Sequence, residues 1–204
     1  MKLNARLSGG LGALLVAAGS VQAQDPRWLL DSTVDLARGR RVVVAALAGT
    51  ALRTTTWGES VPTLILTCYK RSAIVVRIVS EGAPALYGST APLGFHLDSL
   101  PVQNLEANAV VLERYGNVYG YPLGAARLEE YGYALDISIA PGDSASGPGR
   151  KMTRLLRGLL TARQLRVGYR LLTGELVTPE FRLGPETRST VARVLDACQI
   201  ELVQ

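Results

Sequence analysis

Pro62–Val79, PTLILTCYKRSAIVVRIV, is the stretch on which the fold turns. Leu64, Leu66 and Cys68 fall on one face of an extended segment. The polar residues Tyr69-Lys70-Arg71-Ser72 then interrupt it, and Ala73–Val79 resumes with β-branched side chains that suit a pleated backbone. Two β-rich runs across a short polar break predict a hairpin.

Upstream, Val42–Leu52 (VVVAALAGTAL) lies between Arg41 and Arg53. A membrane-spanning helix needs about 20 apolar residues, so this shorter run predicts a core strand entering a turn at Gly49. Before it stand Trp28 and the Asp31/Asp35 pair, and after it Thr54-Thr55-Thr56-Trp57-Gly58 predicts a loop. Downstream, short strands are expected at Ala85–Tyr87, Gly94–Leu97, Ala109–Glu113 and Tyr133–Ala140. The last is the clearest, because Leu135, Ile137 and Ile139 alternate with Asp136 and Ser138.

Pro141–Gly149 (PGDSASGPG) has loop chemistry throughout. Arg150–Gln164 then places Met152, Leu155, Leu156, Leu159 and Leu160 at helical spacing, with Lys151, Arg154 and Arg157 elsewhere on the wheel. Leu165, Val167, Tyr169 and Leu171 alternate along a strand, Thr173-Gly174-Glu175 turns, and Val177, Phe181 and Leu183 return. Pro179 lacks the amide hydrogen that a ladder needs, so the returning strand belongs at a sheet edge. Gly184-Pro185 opens a last helix whose apolar stripe is Val191, Val194, Leu195 and Cys198.

The chain of 204 residues is 48% hydrophobic and 19% charged, with a mean hydropathy of +0.17. That composition supports a packed core and argues against disorder. The expected fold is therefore α+β: a β-rich single domain over 24–204, with antiparallel sheet and one or two C-terminal helices packed on it. Residues 1–23 read as a signal peptide. Lys2 and Arg6 make its basic start, Leu11–Val21 its apolar stretch, and Val21-Gln22-Ala23 its small-residue cleavage site before Gln24. With no cysteine before Cys68, a lipid-anchored cysteine at the new N-terminus is excluded. The expected location is the periplasm or the exterior.

Export places Cys68 and Cys198 in an oxidising compartment, where an even count predicts a disulfide. If the last helix packs on the early sheet, the two thiols sit on facing surfaces. The bridge would close a loop of about 130 residues, worth at most about 5 kcal/mol in unfolded-chain entropy. The alternative is two buried free thiols. Zinc is poorly served, since two Cys and one His supply fewer than four ligands.

Pro62-Thr63-Leu64-Ile65-Leu66-Thr67-Cys68 is similar to the P-x-L-x-L-x-C opening of VasI-like proteins, an exported family associated with type VI secretion. Gly94-Phe95-His96-Leu97-Asp98 corresponds to that family's aromatic- and Asp-containing turn, with His96 where the family carries Arg. Leu155–Leu160, Leu165–Leu171, Glu180-Phe181-Arg182-Leu183 and Asp196-Ala197-Cys198 follow its closing order of helix, strand pair, Phe-containing strand and Cys-ending helix. The resemblance covers Pro62 to Cys198. It implies an envelope accessory or binding role without catalysis, in partnership with an envelope or secretion-system protein, and it carries over Cys68 and Cys198 as structural residues.

Enzymatic readings are weaker. Gly142-Asp143-Ser144-Ala145-Ser146-Gly147-Pro148 resembles the G-D-S-G-G-P of chymotrypsin-like proteases, which would make Ser144 a nucleophile and His96 its base, oriented by Asp98 or Asp136. Ala145 and Ser146 replace the glycine pair, however, and the interval from His96 to Ser144 is too short for a second barrel. Glu129 and Glu130 are adjacent and would face opposite sides of a strand, so they form no catalytic pair. Phosphate-cradling loops are missing from the mature chain, and no cofactor is expected. From Arg150 onward there are ten Lys or Arg against five Asp or Glu. Only Tyr169 and Phe181 are aromatic there, so nucleic acid is a poor partner, whereas Arg150–Arg166 could bind a membrane surface electrostatically. The Tyr-Gly-rich segment Tyr115–Tyr133 could serve carbohydrate or protein contact. The leading expectation is a non-enzymatic exported envelope accessory or binding protein. The alternatives are a serine-type hydrolase and a peripheral membrane protein.

Overall fold

A computed structural model describes residues 27–35, 40–54, 58–70, 73–80, 82–86, 90–98, 100–112, 132–138 and 147–202. The chain runs β1 (Leu29–Asp35), β2 (Arg40–Ala48), β3 (Leu52–Thr54), β4 (Gly58–Ser60), β5 (Thr63–Lys70), β6 (Ala73–Ser80), β7 (Thr90–Leu97), β8 (Gln103–Leu112) and β9 (Gly132–Ser138). It continues through α1 (Gly147–Leu159), β10 (Gln164–Arg170), β11 (Leu176–Val177), β12 (Glu180–Arg182) and α2 (Thr187–Cys198). The signal peptide with its cleavage site, the Tyr-Gly segment between Tyr115 and Tyr131, Glu129/Glu130 and the Ser144 loop lie outside the described residues.

The hairpin of Pro62–Val79 is β5 and β6, paired antiparallel from Thr63↔Val79 to Lys70↔Ala73. Strand β5 runs through Tyr69 and Lys70 into the expected polar break, while β6 begins at Ala73 as the pattern predicts. They lie third and fourth in a ten-stranded sheet in the order β1-β2-β5-β6-β9-β8-β7-β10-β11, with β12 also on β10 and every pairing antiparallel. The sheet curls until its ends meet: the Thr50 amide, just past β2, donates to the Glu180 carbonyl of β12 at 2.8 Å. Gly49 is needed at that seam. A Cβ there would lie 2.9 Å from the Glu180 oxygen and 3.0 Å from the Phe181 ring.

Several boundaries differ from the pattern for local reasons. Thr54 and Gly58, expected in a loop, end β3 and begin β4, a small hairpin of its own. Of the strand expected at Ala85–Tyr87, Ala85 and Leu86 are not in a strand: Pro84 makes a single bridge to Leu171 and the Ala85 amide donates to the Arg170 carbonyl, while Tyr87 lies outside the described residues. Helix α1 starts at Gly147, inside the expected loop, and stops at Leu159. Gln164 and Arg166, expected to belong to the basic helix, are in β10. The returning edge strand is split at Thr178-Pro179 into β11 and β12. The Pro179 carbonyl still accepts from Val167 N at 2.9 Å, while its ring nitrogen donates nothing.

One face of the sheet and both helices share a core. Leu64, Leu66, Ile74, Ile78, Phe95, Leu135 and Val167 point into it, and Met152, Leu155, Leu156 and Leu159 of α1 meet them from above. Helix α1 packs on β7 and β8, and α2 on β5, β2 and β6. The opposite face is also buried at the centre, by Val42, Val44, Ala46, Ile65, Val79 and Ala134. Burial on both faces explains why β2 and β5 read as nearly continuous apolar runs.

Helix α2 is pinned at both ends. Gly184, Pro185 and Glu186 form the turn that leads into it, so the helix begins two residues later than the proline position suggests. There the Thr187 hydroxyl accepts from Trp28 Nε1 at 2.9 Å in a buried bond. At the other end Gln199 takes the left-handed conformation (φ 53, ψ 42), and Ile200 N donates to the Leu195 carbonyl at 3.0 Å. That cap ends the helix on Cys198, which is disulfide-bonded to Cys68 of β5, with Cα atoms 5.4 Å apart. Thr187→Val keeps the volume but strands the buried indole N–H. It is expected to lower stability by about 1–3 kcal/mol, read as a lower urea midpoint, with no such loss for Ser189→Ala on the exposed side.

Candidate functional site

The described cavity of greatest interest, about 480 Å³, opens where β9 stops beside β8. Strand β9 pairs with β8 only from Asn108↔Asp136 to Leu112↔Gly132. Asn104, Glu106 and Asn108 from one face of β8 and Leu105, Ile137 and Met152 from the core side line the cavity. Its polar lining comes from Thr90, Asn104, Glu106, Asn108, Ser138 and Lys151. Pro92, Leu105, Ile137 and Met152 supply the apolar part. A volume of this size with an apolar floor and a few convergent polar groups is typical of a small-ligand site.

The alternation of β8 builds that lining. Leu105 and Ala107 turn into the core, which leaves Asn104, Glu106 and Asn108 exposed on the other face in one row. The β7 register sets Thr90 against Asn108 and Pro92 against Glu106. Helix α1 adds Gly149, Lys151 and Met152 at the mouth. None of these polar residues except Lys151 stood out from the sequence, because isolated Asn, Thr and Glu on a strand look like any solvated face.

The proposed serine relay fares differently. His96 is half-buried on β7, opposite Arg166 of β10 and on the face turned away from Phe95 and Leu97. Both carboxylates that could orient it are engaged elsewhere. Asp98 accepts from the backbone amides of Arg163 (3.0 Å) and Gln164 (2.8 Å), closing the turn into β10. Asp136 makes a two-pronged pair with Arg77, at 2.6 and 2.7 Å, across the β6–β9 ladder. Among the described residues, no group of three or more His, Cys, Asp or Glu could hold a metal ion.

The basic helix also divides cleanly. Arg150, Lys151, Arg154 and Arg157 are exposed, while the apolar side of α1 is consumed by the core. Membrane insertion through that side would require undocking the helix, so only electrostatic attachment is left to it. No helix among the described residues is long and apolar enough to cross a membrane. The chain matches no protein-family model, no curated protein and no solved structure.

Two ion pairs of different burial offer a check on the sheet. The Arg77–Asp136 side chains are 12% and 17% exposed, those of Arg166–Glu180 48% and 29%. Arg77→Met leaves a poorly solvated carboxylate and is expected to cost about 2–3 kcal/mol. Arg166→Met should cost about 0–1 kcal/mol. Urea unfolding of the two variants in parallel measures the difference.

Proposed function

We propose that the protein is a non-enzymatic, exported binding protein of the cell envelope, with a leader cleaved after Ala23. The observation that carries this reading is the Cys68–Cys198 disulfide, a bond that persists in oxidising compartments and is rare in the cytosol. The cavity at the end of β9 supplies a place for a ligand. The bonding of Asp98 to backbone amides and of Asp136 to Arg77 supports binding over serine hydrolysis, because both carboxylates expected to orient His96 have other partners. The similarity of Pro62–Cys68 and of the Cys-ending helix to VasI-like proteins points to a component of a type VI secretion apparatus as the envelope partner, with location in the periplasm.

Crosslinking in native cells tests this reading. An envelope or secretion-system component should be recovered above background, and its absence would count against an accessory role. A fluorophosphonate probe should leave the purified protein unlabelled. Labelling that Ser144→Ala abolishes would replace the binding reading with a hydrolase.

A further inference from the structure

The cavity beside β8 is lined by one anion and one cation, Glu106 and Lys151, and its other polar side chains are the neutral Thr90, Asn104, Asn108 and Ser138. Among the described residues neither Glu106 nor Lys151 forms an ion pair, whereas Arg77 pairs with Asp136 and Arg166 with Glu180. The described lining is therefore neutral in sum and charged at two separate points. Such a wall disfavours a ligand of one net sign, since a charge drawn to one point is repelled by the other.

The fold supplies the two charges from opposite sides of the sheet. Glu106 stands on the outward row of β8, which turns away from the buried Leu105 and Ala107. Lys151 belongs to α1, which packs on β7 and β8 and buries the neighbouring Met152 in the core. Leu105, Ile137 and Met152 give the cavity a buried apolar lining as well. A ligand that meets both charges needs an ammonium and a carboxylate at separate ends and an apolar part to cover that lining. A free α-amino acid carries both charges on one carbon, whereas two or three residues in an extended chain span about 7–10 Å.

We propose that this cavity binds a short peptide with both ends free, two or three residues long and bearing an apolar side chain. This rests on the binding-protein reading above and names its ligand class. The ammonium goes to Glu106 and the carboxylate to Lys151, each a charge-assisted contact. Asn104 and Asn108 flank Glu106 in the same row, and their amides donate and accept as a peptide unit does. Thr90, set directly against Asn108 in the ladder, and Ser138 add hydroxyls with the same double capacity. An internal segment of a longer chain is a poorer fit, because it lacks the terminal charges. A sugar acid would bring a like charge to Glu106.

Calorimetry on the disulfide-intact protein tests the assignment with the tripeptide Ala-Leu-Ala in its free, N-acetylated, C-amidated and doubly blocked forms. The free form should bind, and each block should cost about tenfold or more in affinity. Glu106→Gln should remove the difference between free and acetylated peptide, and Lys151→Met the difference between free and amidated peptide. Both side chains are exposed, so neither variant should move the urea midpoint. Blocked forms that bind as tightly as the free one would overturn the two-charge assignment, as would a Glu106→Gln loss shared equally by free and acetylated forms. Free leucine binding as tightly as the tripeptide would overturn the peptide in favour of a single amino acid. No binding of any probe would overturn the site, leaving the envelope reading to stand or fall on crosslinking. Cleavage of a probe would instead overturn the non-enzymatic reading.

Discussion

The placement of α2 over β5 and β2 is the constraint on which the rest of the fold depends. The helix is held from both ends: by the Trp28–Thr187 hydrogen bond where it starts and by the Cys68–Cys198 bond where it stops. Between them Val191, Val194 and Leu195 are buried, each worth about 1.5–3 kcal/mol of apolar transfer. These contacts join the beginning of the described chain, its central hairpin and its final helix. The disulfide adds a closure across 130 residues of sequence, a constraint on the unfolded chain worth up to about 5 kcal/mol in the entropic account.

With α2 fixed on one half of the sheet, α1 covers the other half at β7 and β8. The two helices thus cover the core face of the sheet, while the alternation turns the other side chains of β7, β8 and β10 to the opposite face. The same alternation that buries Phe95, Leu105 and Val167 sets His96, Asn104, Arg166 and Gly168 outward. Core and candidate site are two readings of one period-two pattern. The site lies where β7, β8, the described end of β9 and the first turns of α1 come together.

What was legible in the sequence was local. The Pro62–Val79 hairpin, the alternation of Leu165–Leu171 and the stripe Val191–Cys198 each lie within a short window, so side-chain periodicity reports them directly. The disulfide was legible because only two cysteines exist and both sit on apolar faces. The order of strands was not. β9 inserts between β6 and β8, and β10 lies against β7, through contacts that no short window contains. The start of α1 was hidden by Gly147, Pro148 and Gly149, residues that signal a loop yet are tolerated in a first helical turn. The cavity draws on β7, β8, β9 and α1, and its polar positions are Asn, Thr, Ser and Glu residues whose meaning comes only from register.

Non-reducing peptide mapping by mass spectrometry, on protein purified from its native cells, tests the central claim most directly. The account predicts one crosslinked pair joining the Cys68 and Cys198 peptides, on a chain that begins at Gln24. Two free thiols on a chain that keeps Met1 would contradict it, removing both the tether that places α2 and the oxidising compartment from which the function is argued.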